Sequence, residues 1–172
     1  MRKHQMTLIS DFYKQAHAEQ YPKGMNFIAS YFTPRMSRLS EENSLIVFGI
    51  QGFIKDYLIE RFNDTFFNVP LETILKEYER VIKHTLSHSY CEPNKIAELH
   101  SLGYLPIEIK ALKEGTKCPI KVPCIEITST KPGFEWVVQF IESIMSCQLW
   151  YPMTIANQAY KYRQIVNEYF EK

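Results

Sequence analysis

With 172 residues, of which 45% are hydrophobic, 14% aromatic and 23% charged, the chain has a globular composition. It is long enough to bury about 70% of its unfolded surface, and it is not a disordered tail, a collagen-like repeat or a disulfide-dense miniprotein. Twenty Lys and Arg against nineteen Asp and Glu leave a formal charge of +1, too little for non-specific neutralisation of nucleic-acid phosphates, so no nucleic acid is expected as a partner.

The basic opening reaches Asp11 and Lys14 before any apolar run of signal-peptide length. Residues 26–33 (NFIASYFT) favour a strand that ends at Pro34 and Arg35. From Leu45 to Phe62, Ile46, Ile50, Phe53, Ile54, Tyr57 and Leu58 recur at helical spacing, with Ser40 or Asn43 to cap. Pro70 stands at the first position of a second helix, whose stripe is Leu71, Ile74, Leu75, Tyr78, Val81, Ile82 and Leu86. A third helix is expected from Pro93 to Leu102, closed by Gly103.

Leu105, Ile107, Ile109 and Ala111 then alternate with Pro106, Glu108 and Lys110, the period of a half-buried strand, and Glu114 and Gly115 make the next turn. A short strand at Cys124 to Thr128 leads through Pro132 and Gly133 into a helix with the stripe Phe134, Val137, Val138, Ile141, Ile144 and Met145. A last helix is expected to start after Trp150, Tyr151 and Pro152. The order of elements indicates an α+β fold, with helices packed on a small mixed or antiparallel sheet. No repeat or Gly/Ser linker divides residues 1–172, so one domain is expected. From Met153 onward there is no Gly, Pro or capping signal, so the helical pattern stops with the chain, as in the front portion of something longer.

Residues 143–160 are uncharged but contain Gln148, Pro152, Asn157 and Gln158, too polar to span a membrane, so no membrane partner is expected. The four cysteines, Cys91, Cys118, Cys124 and Cys147, lack the two-residue spacing of zinc knuckles or redox pairs and fit reduced thiols in the cytoplasm. The glycines form neither a dinucleotide fingerprint nor a phosphate loop, and no Gly-x-Ser-x-Gly elbow occurs. His84 and His88 lie four apart on the second helix with Cys91 just beyond, so all three could face one metal, but the Glu of a zinc protease is missing and the positions lie largely off the apolar stripe, which reads as a solvated face. Glu41 and Glu42 read as a charge pair at a helix N-terminus rather than an acid/base dyad.

Residues 11–22 (DFYKQAHAEQYP) are denser in functional side chains than a surface requires. Taken alone, they fit an amphipathic segment with Phe12 and Tyr13 anchored in the core. The pattern Asp11, Tyr13, Lys14, His17, Gln20, Tyr21 and Pro22 also resembles the opening of the nicotinamide phosphoribosyltransferase family. The resemblance continues in order through Ser30-Tyr31-Phe32 with Arg35 and through Phe48-Gly49-Ile50-Gln51. It extends through 105–111 with Glu114-Gly115 and then through Trp150-Tyr151-Pro152. His17 and Gln20-Tyr21-Pro22 favour the nicotinamide branch over nicotinate phosphoribosyltransferase, whose Tyr-Lys segment continues with Thr-Met.

The resemblance implies transfer of a phosphoribosyl group from phosphoribosyl pyrophosphate to nicotinamide, giving nicotinamide mononucleotide and pyrophosphate in NAD biosynthesis. It implies the N-terminal domain of a type II phosphoribosyltransferase, with substrate contacts made across a dimer interface. Tyr13 matches a ring that stacks on nicotinamide, Asp11 an acidic residue beside the same pocket, and Arg35 a basic residue on substrate phosphate. The family's α/β barrel, with its catalytic residues, is absent from these residues. No catalytic residue, metal or cofactor is therefore expected on this chain, which should be inactive alone, whereas magnesium is expected for the complete enzyme. The expected partners are both substrates and a second subunit or barrel domain. Two alternatives share the fold: the N-terminal domain of a nicotinate phosphoribosyltransferase, and a free-standing, non-catalytic interaction module.

Overall fold

The computed structural model describes residues 4–38, 42–86 and 91–171. Turns of 3-10 helix at Met6–Leu8 and Phe12–Gln20 precede strands β1 (Ala29–Phe32) and β2 (Ser44–Ile46). Helix α1 (Ile50–Phe53) runs on through wider π-type turns at Ile54–Arg61 and Asn63–Phe67, and α2 (Leu71–Thr85) and α3 (Pro93–Leu102) follow. Strands β3 (Ile107–Ala111), β4 (Lys117–Pro119) and β5 (Ile125–Ser129) lead into α4 (Trp136–Phe140) and the long α5 (Glu142–Phe170).

Strand β5 is the centre of an antiparallel sheet, with β1 and β3 on either side, placing Phe32 opposite Ile125 and Ile109 opposite Ile127. Ile125, Ile127 and Ser129 are buried while Glu126 and Thr128 between them are half-buried, the two-residue alternation of a sheet with one face on the core. A second antiparallel pair joins β2 to β4, with Leu45 opposite Cys118. The architecture is therefore the expected α+β, with small antiparallel sheets and no closed barrel among the described residues.

Three local expectations are corrected. Residues 44–46 are a strand, because Ser44 and Ile46 turn inward and pair with β4, and the helix begins only at Ile50 after Gly49 adopts a left-handed φ of 87°. Asn43 therefore precedes a strand and caps no helix, while Ser40 lies outside the described residues. Pro70 holds an extended conformation before α2, which starts at Leu71. Pro152 starts no new helix but lies inside α5. Gly103 closes α3 with φ 72°, as its sequence position requires.

Motif segments far apart in sequence meet around Gly49. The Glu114 carboxylate accepts the Gln51 N–H at 2.9 Å, capping α1 from another part of the chain. Val47 and the turn at Gly115 exchange hydrogen bonds: Gly115 N–H to the Val47 carbonyl (2.8 Å), and Val47 N–H to that of Thr116 (3.0 Å). A methyl group at Gly49 would come within 2.9 Å of Pro152 Cγ. Phe32 and Trp150 are in ring contact at 4.5 Å. Much of the family pattern therefore records packing of α1, the β3–β4 turn and α5. The core below includes Val47, Phe62, Phe66, Tyr78, Ile82, Leu99, Ile127, Leu149 and Met153, all fully buried.

Candidate functional site

Residues 10–21 fold opposite to their hydrophobicity. Phe12 and Tyr13 are exposed, Tyr13 by 58%, whereas Lys14 and Gln15 are buried. The expectation that the two rings anchor this segment is overturned, and Lys14 takes their place. A buried ammonium requires a charge partner, and Glu142 supplies it, its Oε2 2.7 Å from Lys14 Nζ. Asp11 Oδ2 stands 4.0 Å from the same nitrogen, and the centroid of the Tyr13 ring 5.8 Å. The His17 and Tyr13 rings make an edge contact with centroids 5.0 Å apart.

Residues 139–143, where α4 gives way to α5, hold this segment at four points. Ser10 Oγ donates to the Phe140 carbonyl at 3.2 Å, and the Tyr21 hydroxyl donates to Gln139 Oε1 at 2.8 Å. The Asp11 N–H donates to Ser143 Oγ at 3.0 Å, and that hydroxyl donates to Asp11 Oδ2 at 2.6 Å. The Lys14–Glu142 pair is the fourth. Gln139, Glu142 and Ser143 lie on the polar side of an apolar stripe, where helical periodicity carries no hint of this duty.

Arg35 stands exposed just past β1, as the Pro34 step implies. The strand end is fixed by the Cys124 N–H on the Phe32 carbonyl (2.9 Å) and the Lys121 N–H on that of Pro34 (2.7 Å). Arg35 lines a groove of about 790 Å³ together with Tyr31, Met36, Glu142, Ser146 and Trp150. Glu142 thus belongs both to the wall of the Arg35 groove and to the Lys14 cluster that touches Asp11 and Tyr13. Tyr13 does not line the groove.

Other candidates are spent on structure. Glu42 precedes β2 rather than a helix, and its carboxylate is ion-paired to Lys161 at 2.7 Å and accepts the Ser44 hydroxyl at 3.1 Å. The Lys161 contact holds its carboxyl below the usual range, against the opposing effect of burial. Glu41 and His88 lie outside the described residues. His84 Nδ1 donates to the Arg80 carbonyl on an exposed face. Among the described residues no three or more His, Cys, Asp and Glu side chains converge in a manner fit to hold a metal. Near Arg35, the Glu142 carboxylate is ion-paired to Lys14. No described helix is long and apolar enough to cross a membrane.

Residues 5–109 match the family model of the nicotinamide phosphoribosyltransferase N-terminal domain. The chain is 38% identical over 167 residues to a nicotinamide phosphoribosyltransferase of Acinetobacter baylyi, covering 94% of this chain and 33% of the relative. It is 27% identical over 168 residues to a nicotinamide phosphoribosyltransferase of Xanthomonas campestris pv. campestris, covering 97% and 33% respectively. It thus spans about a third of the length of these curated relatives. A crystal structure of human nicotinic acid phosphoribosyltransferase shares the fold with a TM-score of 0.54 at 16% identity, over 81% of this chain and 25% of that one. With most of its length matched by the family model and 38% identity to the Acinetobacter baylyi relative, the chain belongs to the nicotinamide phosphoribosyltransferase family and carries its N-terminal domain.

Proposed function

We propose that this domain supplies substrate contacts to a phosphoribosyltransferase that converts nicotinamide and phosphoribosyl pyrophosphate to nicotinamide mononucleotide and pyrophosphate, within cytoplasmic NAD biosynthesis. The observation that carries the reading is the inverted burial of Tyr13 and Lys14: an aromatic ring is held out in water while the lysine beside it is buried. A phenol ring so placed can stack on a flat pyridine, and the attraction strengthens as the ring nitrogen becomes cationic on bond formation. Asp11 stands beside Tyr13 as an acceptor for a polar group on the base. Arg35, in its groove, offers a planar fork for phosphate oxygens.

In this reading the three residues serve an active site completed by a second subunit, and a barrel outside these residues provides the chemistry. Magnesium, expected for the complete enzyme, supplies charge neutralisation of the phosphates when bound there. The nicotinamide names of the two sequence relatives support the amide as substrate. The nicotinic acid enzyme, at 16% identity, bears on the fold alone.

The test compares the chain alone with the chain joined to the remaining two thirds of the Acinetobacter baylyi relative, following mononucleotide and pyrophosphate release. Turnover only in the joined protein is expected. Turnover by the 172-residue chain alone contradicts the reading.

A further inference from the structure

Lys14, itself buried, reaches both Tyr13 and Asp11: Nζ lies 5.8 Å from the Tyr13 centroid and 4.0 Å from Asp11 Oδ2. Its side chain is 2% exposed, whereas that of Glu142, its partner at 2.7 Å, is 56% exposed and lines the Arg35 groove. Such an asymmetric pair fixes the lysine end and leaves the carboxylate end in contact with the groove. Ser143, the next residue of α5, takes the Asp11 N–H and returns its own hydroxyl to the Asp11 carboxylate. One turn of one helix thus orients the carboxylate, the ring and a wall of the groove.

We propose that Lys14, Glu142 and Ser143 are positioning residues: a clamp that sets the Tyr13 ring and the Asp11 carboxylate at a fixed distance from the Arg35 groove. This inference rests on the substrate roles proposed for Tyr13 and Asp11, but the clamp is testable without them. It accounts for the lysine in the motif, which would otherwise be an unfavourable residue to bury. It also accounts for the His four positions after the ring, since the His17 ring lies in edge contact with that of Tyr13. A ring at 58% exposure with neither support would sample several rotamers and lose ordering entropy on stacking, whereas a clamped ring has already lost it.

The test is backbone ¹⁵N relaxation on the full 172-residue chain, comparing it with Lys14→Met and Glu142→Gln. In the parent, Phe12 and Tyr13 should have order parameters of about 0.85, falling below about 0.6 in both variants while Ile74, Tyr78 and Ile82 of α2 keep theirs. If Tyr13 stays as ordered as in the parent, or if α2 loosens in step with it, the clamp is refuted, the second result showing only a general loss of stability. Should either variant not fold, Ser143→Ala removes a single half-buried hydroxyl. Exchange of the Asp11 amide should then accelerate about tenfold, and unchanged exchange refutes the proposal. Nicotinamide kinetics of the joined protein separate the two readings: a Tyr13 that loosens without any change in KM leaves the clamp standing and removes the substrate role.

Discussion

Replacing Gly49 by alanine perturbs the point where α1, the Gly115 turn and α5 meet. Gly49 has φ 87°, and an added Cβ would lie 2.9 Å from Pro152 Cγ and 3.0 Å from Pro152 Cβ. The left-handed backbone costs an L-residue about 1–2 kcal/mol, and forcing a methyl into a packed contact costs about 1–3 kcal/mol more. Alanine recovers about 0.4–1 kcal/mol by restricting the unfolded chain. A net destabilisation of about 1–4.5 kcal/mol follows, which at a urea dependence of about 2 kcal/mol/M moves the midpoint down by about 0.5–2 M. The two causes separate in a double-mutant cycle with Pro152→Gly, which removes both opposing carbons. In that background only the backbone cost of Gly49→Ala should remain, a coupling of about 1–3 kcal/mol. Equal costs of Gly49→Ala in both backgrounds, or a cost below about 0.5 kcal/mol in the parent, would refute the close packing of Gly49 on Pro152.

Further predictions concern charge and thiols. Because Lys161 lowers the folded pKa of Glu42 below its ordinary value of 4.5, that carboxylate stabilises the fold above pH 4.5, and its contribution is lost as pH falls through the depressed value. Lys161→Met should therefore flatten part of the decline in urea midpoint between about pH 6 and pH 3, the carboxylate range, and identical slopes would contradict the pairing. Cys147 is exposed on α5, while burial pushes the Cys124 thiol up to about 11 and also raises that of Cys118. An alkylating reagent at mildly alkaline pH should modify Cys147 first and reach Cys124 only on unfolding, as read by peptide mass. Early labelling of Cys124 would contradict its burial.

What was legible in the sequence depended on how local its cause was. The α3 helix with its closing Gly103 and the alternating β3 follow from signals within ten residues of one another; α3 stands as read, and β3 forms from Ile107 rather than Leu105, with Ala111 exposed. Strands β2 and β4 are three residues each and exist only by pairing across more than seventy positions, so Leu45 and Ile46 fit a helical stripe equally well. Pro152 reads as a helix start, yet α5 runs through it with the ring seated on Gly49. In the candidate site, Asp11, Tyr13 and Arg35 emerged from motif resemblance. That Tyr13 faces water while Lys14 is buried emerged only from the fold, since the carboxylate that makes it tolerable lies 128 residues away. Glu142 and Ser143 gave no signal at all, being ordinary polar residues beside an apolar stripe.

The most direct test of the substrate role is steady-state kinetics of the joined transferase with Tyr13→Ala. Loss of a stacking ring should raise KM for nicotinamide about tenfold or more, while KM for phosphoribosyl pyrophosphate changes little; Arg35→Ala should do the reverse. Unchanged nicotinamide kinetics in a folded Tyr13→Ala enzyme would show that the exposed ring does not meet the base, and would remove the functional meaning assigned to the segment it stands on.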